Sequence, residues 1–182
     1  MYFSTLCGRN KATSAKIKAG FLLVTVLYWG AMLIYSLFTL CYLGFEGASC
    51  VIQWQLWKSI YNLNMWQAWM LALISGYISN LFLAFLTMWI SAKTKSTVFA
   101  VTTPFILIFL PSFLEGMANW LDKILSLMPS HLLEFYQNLG SFNILTIFGK
   151  VFRTLDVSIP LYLMLTVILI PMMYLEYHRK RA

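Results

Sequence analysis

Residues 4–44 read STLCGRNKATSAKIKAGFLLVTVLYWGAMLIYSLFTLCYLG, and this stretch decides the fold. Its first part is polar and carries four basic residues, Arg9, Lys11, Lys16 and Lys18. Its second part, from Ala19 onward, has no charge and no proline. That part exceeds the roughly 20 residues that an α-helix needs to cross a hydrocarbon core of about 30 Å. The stretch therefore predicts a short interfacial or cytoplasmic helix over residues 4–16, followed by a separate membrane-spanning helix that begins from this basic segment.

The composition of the whole chain extends this prediction. Of the 182 residues, 60% are apolar and only 10% are charged, and the mean hydropathy is +0.75. Soluble domains carry about 25% charged residues. Four predicted crossings follow one another along the chain, at residues 19–45, 67–91, 96–114 and 157–175. The sequence predicts an all-α integral membrane protein with four transmembrane helices.

The distribution of the basic residues predicts the orientation. They lie at the ends of the apolar runs rather than on one amphipathic face, which disfavours nucleic-acid binding despite the formal charge of +7. If residues 1–18, the turn at 93–95 and the basic tail at 176–182 share one side, that side holds nine of the thirteen Lys and Arg. The positive-inside rule then predicts that both termini are cytoplasmic.

The connections between the crossings differ in length. A tight turn at residues 93–96 predicts an antiparallel pair of the second and third crossings. Residues 46–66 contain Trp54, Trp57 and Tyr61 at helical spacing, which predicts an external interfacial segment because indole and phenol rings favour the headgroup level. An aromatic cluster that binds a substrate is the alternative.

Residues 115–156 are not an ordinary hydrophilic loop. One helical apolar stripe ends at Pro129, and a second one ends at Gly140. The two stripes comprise Met117, Trp120, Leu121, Ile124, Leu125 and Met128, then Leu132, Phe135, Tyr136 and Leu139. They predict short extracytoplasmic helices that lie on the membrane or re-enter it, with residues 144–152 dipping back into the interface.

The second crossing carries small and polar residues near its centre: Ser75, Gly76, Ser79 and Asn80. Small residues four apart allow helices to approach closely, and a mid-membrane amide needs a hydrogen-bond partner or water. This face is predicted to pack against protein or to line a pathway. For Asn80, a bond to a neighbouring helix and a direct contact with substrate are both open.

Catalytic and metal-site patterns are not evident in the sequence. His131 and His178 belong to no metal-binding motif, and Gly149–Val151 lacks the residues of a phosphate-binding loop. All six acidic residues lie at helix ends or in loops, which disfavours an ion-coupled carrier. The sequence predicts no enzyme and no cofactor.

The order of features resembles a known family. Ser4 and Thr5, then Gly8–Lys11, then Ala15–Ile17 precede a long helix. This order is similar to the cytoplasmic segment of the exporter-type (type-2) permeases of ATP-binding-cassette transporters. The hairpin, the tight basic turn, the external helices between the last two crossings and the basic tail also resemble that family.

The resemblance implies both partners and a mechanism. It implies a permease subunit of an ATP-driven exporter in the bacterial plasma membrane, with a separate cytoplasmic ATPase, the lipid bilayer and a second permease subunit in a homo- or heterodimer as partners. Residues 1–18 would be the coupling segment, with Arg9, Lys11 and Lys16 as its contacts. The external helices would act as a gate, with four candidate residues: Trp120, Leu121, Phe135 and Tyr136. The substrate would be a lipid, a peptide or a hydrophobic drug.

Two expectations qualify the resemblance. Family members usually have six crossings, so the sequence suggests a permease that lacks the first two, as a truncated or split product. A non-transporting small membrane protein, such as an immunity or assembly factor that binds a partner through its aromatic external segments, is the alternative function.

Overall fold

A computed structural model describes residues 6–94, 96–114, 116–117, 119–141, 144–147 and 150–179. Helices account for 79% of the described residues. The described elements are α1 (Leu6–Leu43), a 3-10 turn (Ile52–Trp54), α2 (Met65–Thr94), α3 (Thr97–Leu114), α4 (Asn119–Leu125), α5 (Pro129–Leu133), α6 (Phe135–Gly140), β1 (Ile144–Ile147), β2 (Lys150–Arg153) and α7 (Thr154–Arg179).

Four of the described helices are long and apolar enough to cross a membrane, which confirms the prediction of four such helices. They are α1, α2, α3 and α7. Helix α3 continues through Pro104 and Pro111 without interruption. The predicted tight turn at 93–96 joins α2 to α3, which pack against each other.

Helix α2 lies at the centre of the bundle and packs against α7, α3, α1 and α5. Helices α1 and α2 run antiparallel, since Gly20 lies beside Met88 while Tyr28 lies beside Gly76. The beginning of α1 meets the end of α7, where the Lys16 ammonium lies 5.8 Å from the centre of the Tyr177 ring. We call this the terminal end, and the opposite end, with the α1–α2 connection, the loop end.

Helix α1 differs from the prediction of a short polar helix followed by a separate crossing. It is one helix of 38 residues, about 57 Å long at 1.5 Å per residue, so it exceeds a hydrocarbon core of about 30 Å. No proline lies between residues 6 and 43, and Ala, Leu and Lys favour the helix throughout. It ends at Leu43 because Gly44 adopts a positive φ of 71°, a conformation that favours glycine.

The segment before α7 corrects the all-α prediction. Residues 144–152 were expected to dip back into the interface, but residues 144–147 and 150–153 are antiparallel strands in which Ile144 pairs with Arg153 and Ile147 with Lys150. The β-branched and aromatic side chains of this stretch favour strands. The two other short helices predicted for this segment are present as three, α4, α5 and α6, because Pro129 begins α5 rather than ending the first helix.

Candidate functional site

The inserted segment, which we define as residues 119–141 with α4, α5 and α6, packs against the small-residue face of α2. The hydroxyl of Ser79 donates a hydrogen bond to the carbonyl of Pro129 at 3.0 Å. The hydroxyl of Ser75 is shared between two carbonyls, that of Ala72 in its own helix at 3.1 Å and that of Leu132 at 3.4 Å. Both serines are fully buried. Their small side chains let the backbone of α5 come close and satisfy two of its carbonyl groups.

The inserted segment reaches the level of the middle of α2. Ser79 lies 14 residues after Met65, about 21 Å along a helix that is about 45 Å long. Irregular backbone at such a depth in a membrane protein must be buried in protein or line a cavity, since lipid offers it no hydrogen bonds. Pro129, Ser130 and Leu132 are buried accordingly.

Further hydrogen bonds hold the inserted segment from α7 and from within. The hydroxyl of Tyr162 on α7 donates to the carbonyl of Leu127 at 2.7 Å, and its ring packs edge-on against Phe82 of α2 at 4.9 Å between centroids. Within the segment, the amide of Asn138 donates to the carbonyl of His131. Tyr162 therefore joins α2, α7 and the inserted segment.

Gly76 lies on the side of α2 that meets α1. A Cβ at Gly76 would lie 2.6 Å from the hydroxyl oxygen of Tyr28, which donates to the carbonyl of Leu73 at 2.7 Å. Beside this contact, the hydroxyls of Thr25 and Tyr77 are 2.8 Å apart. The predicted packing residues of α2 thus contact two different neighbours, α5 through the serines and α1 through the glycine.

Asn80 bonds within its own helix rather than to a neighbouring helix, and its direct contact with substrate stays a prediction. Its amide nitrogen donates to the carbonyl of Gly76, one turn earlier in the same helix, at 2.8 Å. A mid-membrane amide is thereby partly satisfied without a neighbouring helix.

The four gate candidates are not equivalent in the structure. Phe135 is only 4% exposed and belongs to the buried core, whereas Tyr136 is 49% exposed. Leu121 is half-buried, and the side chain of Trp120 lies outside the described residues. Phe135 therefore anchors the segment, and Tyr136 faces outward.

Ser130 carries a buried hydroxyl with no hydrogen-bond partner among the described residues. An unsatisfied buried hydroxyl costs on the order of 1–3 kcal/mol. The contact between the inserted segment and the bundle is therefore not fully optimised at the residue next to Pro129.

The coupling candidates lie at the terminal end. Lys11 and Lys18, with Ser14 and Tyr174, line a cavity of about 400 Å³ between α1 and α7. Lys16 lies over the ring of Tyr177 on α7. The side chain of Arg9 lies outside the described residues. The two described candidates thus lie on the same stretch of α1, but they have different surroundings.

The α1–α2 connection is ordered by Tyr61. Its phenol oxygen accepts the backbone N–H of Leu155 at 3.3 Å, and the Arg153 guanidinium lies 5.1 Å from the ring centre. Burial raises the pKa of the Tyr61 phenol, and Asp156 acts in the same direction, whereas the Leu155 N–H and Arg153 act against them. Tyr61 fastens the connection to the start of α7.

Two tyrosines that hold elements together at this site, Tyr28 and Tyr162, were not identified as site residues from the sequence. A tyrosine within an apolar run is a visible signal, since its hydroxyl needs a partner when it is buried. The sequence offers no means of finding the partners, because these are backbone carbonyls on distant elements.

The described part of the chain holds no group of three or more His, Cys, Asp or Glu that could bind a metal ion. Compared with known protein families, curated proteins and solved structures, the chain has no significant match. What the molecule does must therefore be inferred from its own residues.

Proposed function

We propose that this chain is a transmembrane permease subunit of an ATP-driven exporter in a bacterial plasma membrane. It would move a hydrophobic or amphipathic substrate together with a separate cytoplasmic ATPase. The main support is the inserted segment, which lies between the last two spanning helices and reaches the middle of α2. Short re-entrant helices at this place in the chain are what the resemblance to exporter-type permeases implies.

The length of α1 supports the proposed coupling role of residues 1–18. About 20 residues suffice for the crossing, so the basic beginning of α1 extends beyond the bilayer as a continuation of the same helix. A push by the ATPase on this extension would be transmitted along α1 without an intervening hinge. The extension would lie in the cytoplasm under the positive-inside rule.

The inserted segment is the proposed gate. Its contacts with the bundle include three hydroxyl-to-carbonyl bonds, from Ser75, Ser79 and Tyr162, and each such bond contributes only about 0.5–1.5 kcal/mol net. The unpaired hydroxyl of Ser130 weakens the closed packing further. The inserted segment could therefore leave the bundle at a free-energy cost that nucleotide-driven closure of the partner ATPase would supply.

The exposed apolar side of α1 supports the proposed dimer. Large side chains such as Leu22, Val26, Leu33 and Leu37 are exposed along it. Lipid would cover this side in a monomer, and a second permease subunit would cover part of it in the exporter.

Copurification tests the proposed function. The tagged chain, isolated from native membranes, is expected to bring down an ATP-binding-cassette ATPase, and the double variant Arg9→Glu, Lys11→Glu is expected to lose it. The matched control is Lys123→Glu, Lys150→Glu, which reverses two exposed charges at the loop end. No ATPase with the unaltered chain, or equal recovery with both double variants, would overturn the proposal.

A second candidate function has one observation in its favour. Trp54 and Trp57 are 93% and 80% exposed on an ordered connection, a feature that suits a protein that acts by binding a partner. This would be a small immunity or assembly factor. A neighbouring ATPase gene favours the exporter, whereas a neighbouring toxin or peptide-precursor gene favours the second function.

A further inference from the structure

A cavity of about 460 Å³ lies at the loop end between α1 and α2. Four of the residues that line it are aromatic: Tyr35 on α1, Phe45 on the connection, and Trp66 and Trp69 on α2. Its volume falls within the range of roughly 300–1,000 Å³ that small-molecule sites occupy. The cavity is separate from the inserted segment and from the basic terminal end.

The walls of this cavity are fixed by specific contacts. The positive φ of Gly44 turns the chain after α1, so that the ring of Phe45 lies 5.8 Å from that of Trp66. Trp66 in turn meets Trp69 edge-on at 5.6 Å. The backbone N–H of Trp66 donates to the carbonyl of Ala48 at 3.1 Å, which ties the connection to α2.

Helices α1 and α2 are in direct contact about two turns further along from the cavity. There the rings of Tyr28 and Trp29 lie 5.6 and 5.8 Å from that of Tyr77. A ligand in the cavity would therefore stay near the level of the connection, while an attached chain could lie along the exposed side of the two helices.

The charge pattern indicates which ligand fits. The residues that line the cavity include no Lys and no Arg, and the exposed carboxylate of Glu46 stands between two of them, Phe45 and Gly47. Aromatic faces attract cations, and sets of several rings are the usual recognition device for quaternary ammonium groups. A neighbouring carboxylate adds to the attraction.

We propose that this aromatic cavity binds a single-chain amphiphile with a quaternary ammonium headgroup, held among the four rings with Glu46 beside it. The cavity volume suits one headgroup and part of one chain rather than a two-chain lipid. The site is independent of the exporter assignment, because it is formed by α1, α2 and their connection alone.

Direct binding tests the site without any ATPase. The probe is radiolabelled dodecyltrimethylammonium, added to the purified chain in nanodiscs of phosphatidylethanolamine and phosphatidylglycerol, with binding to empty discs subtracted. Saturable binding near one probe per chain is expected, together with competition by tetramethylammonium and weaker binding of dodecyl sulfate and dodecanol. Absence of saturable binding, or equal binding of all three dodecyl compounds, would overturn the proposal.

The variants locate the site. Trp69→Leu is expected to weaken binding on the order of twofold to thirtyfold, the range of one cation–π contact from exposed to desolvated. Trp54→Leu removes a tryptophan that is outside the cavity, and it should leave affinity unchanged. Equal effects of these two substitutions would contradict the site. If Trp69→Leu does not fold, two other substitutions test the site. Tyr35→Leu removes an exposed ring that lines the cavity, and Glu46→Gln removes the exposed carboxylate next to Phe45. Each must weaken binding.

A change of bilayer lipid distinguishes the two sources of a quaternary ammonium headgroup, a free amphiphile and the choline lipid of the bilayer itself. In phosphatidylcholine discs, unchanged affinity for the probe is expected, since the site is assigned to a free amphiphile. Loss of probe binding in these discs would instead mean that the choline headgroup of the bilayer lipid occupies the cavity.

Discussion

Helices α1 and α2 differ in what surrounds them, although they are equally apolar. Their spanning windows have mean hydropathies of 2.0 and 1.8, yet 6% of the first is buried inside the protein and 39% of the second. Ser75, Gly76 and Ser79 of α2 meet α5 and Tyr28 of α1, whereas Gly30 of α1 meets nothing within 4 Å. Hydropathy thus identifies helices that are apolar enough to cross a membrane, whereas the contacts of the small residues on α2 show where that helix packs against protein.

The largest effect is expected when a large side chain replaces a buried serine of α2. Ser79→Leu would overfill the contact with α5 and leave the Pro129 carbonyl without its donor, a loss of about 2–5 kcal/mol in the free energy of unfolding. Ala31→Leu on the exposed side of α1 is the matched control and should change little. Denaturation of both variants by dodecyl sulfate measures the difference, and equal stabilities would refute the contrast between the helices.

Replacement of a glycine should have opposite signs in the two helices. Gly76→Ala would place its Cβ against the Tyr28 hydroxyl and displace that ring from α2, costing about 1–2 kcal/mol. Gly30→Ala meets nothing within 4 Å, so it should stabilise α1 by up to about 1 kcal/mol. The unfolding midpoint in dodecyl sulfate records the sign, and stabilisation by Gly76→Ala would disprove the close approach of α1 and α2.

Loss of a single hydroxyl should matter at Tyr162 and not at the exposed Tyr42 of α1. Tyr162→Phe removes the bond to the Leu127 carbonyl and should cost about 1–2 kcal/mol. Tyr42→Phe keeps the ring of an exposed tyrosine that stacks on Phe38, and it serves as control. Thermal stability in detergent compares the two, and a silent Tyr162→Phe would mean that α7 does not hold the inserted segment through this bond.

The smallest expected effect is a gain in stability. Ser130→Ala removes a buried hydroxyl that has no partner among the described residues, and it should stabilise the protein by up to about 1 kcal/mol. Ser79→Ala, which removes a bonded hydroxyl at the same contact, should destabilise it by a similar amount. A loss of stability in Ser130→Ala, measured in the same assay, would show that this hydroxyl is paired.

The crossings and the small-residue face could be predicted from the sequence because they depend on local features. Length, hydropathy and charge place α1, α2, α3 and α7, and the spacing of Ser75 and Ser79 marks a packed face. The identity of each neighbour could not be predicted, since it is decided by contacts between distant elements. Nothing near Gly76 in the sequence indicates that Tyr28 lies against it.

Two local structures were predicted incorrectly for different reasons. The polarity of residues 4–16 suggested a separate helix, but polarity does not end a helix. No proline stands before Gly44, and α1 continues through Gly20 and Gly30. Residues 144–152 were predicted to dip back into the interface because the stretch is largely apolar. Its β-branched residues and the nearby Gly149 are the signal for a hairpin.

Depth-resolved cross-linking tests the central claim, that the inserted segment reaches the middle of α2. In a chain whose native cysteines are replaced by serine, the pair Ser79→Cys and Ser130→Cys is expected to cross-link efficiently with a short bifunctional reagent, because the carbonyl of Pro129 lies 3.0 Å from the Ser79 hydroxyl. The pair Gln67→Cys and Ser130→Cys, about 18 Å nearer the loop end along α2, should not. Cross-linking at Gln67 and not at Ser79 would place the segment on the membrane surface and contradict the account.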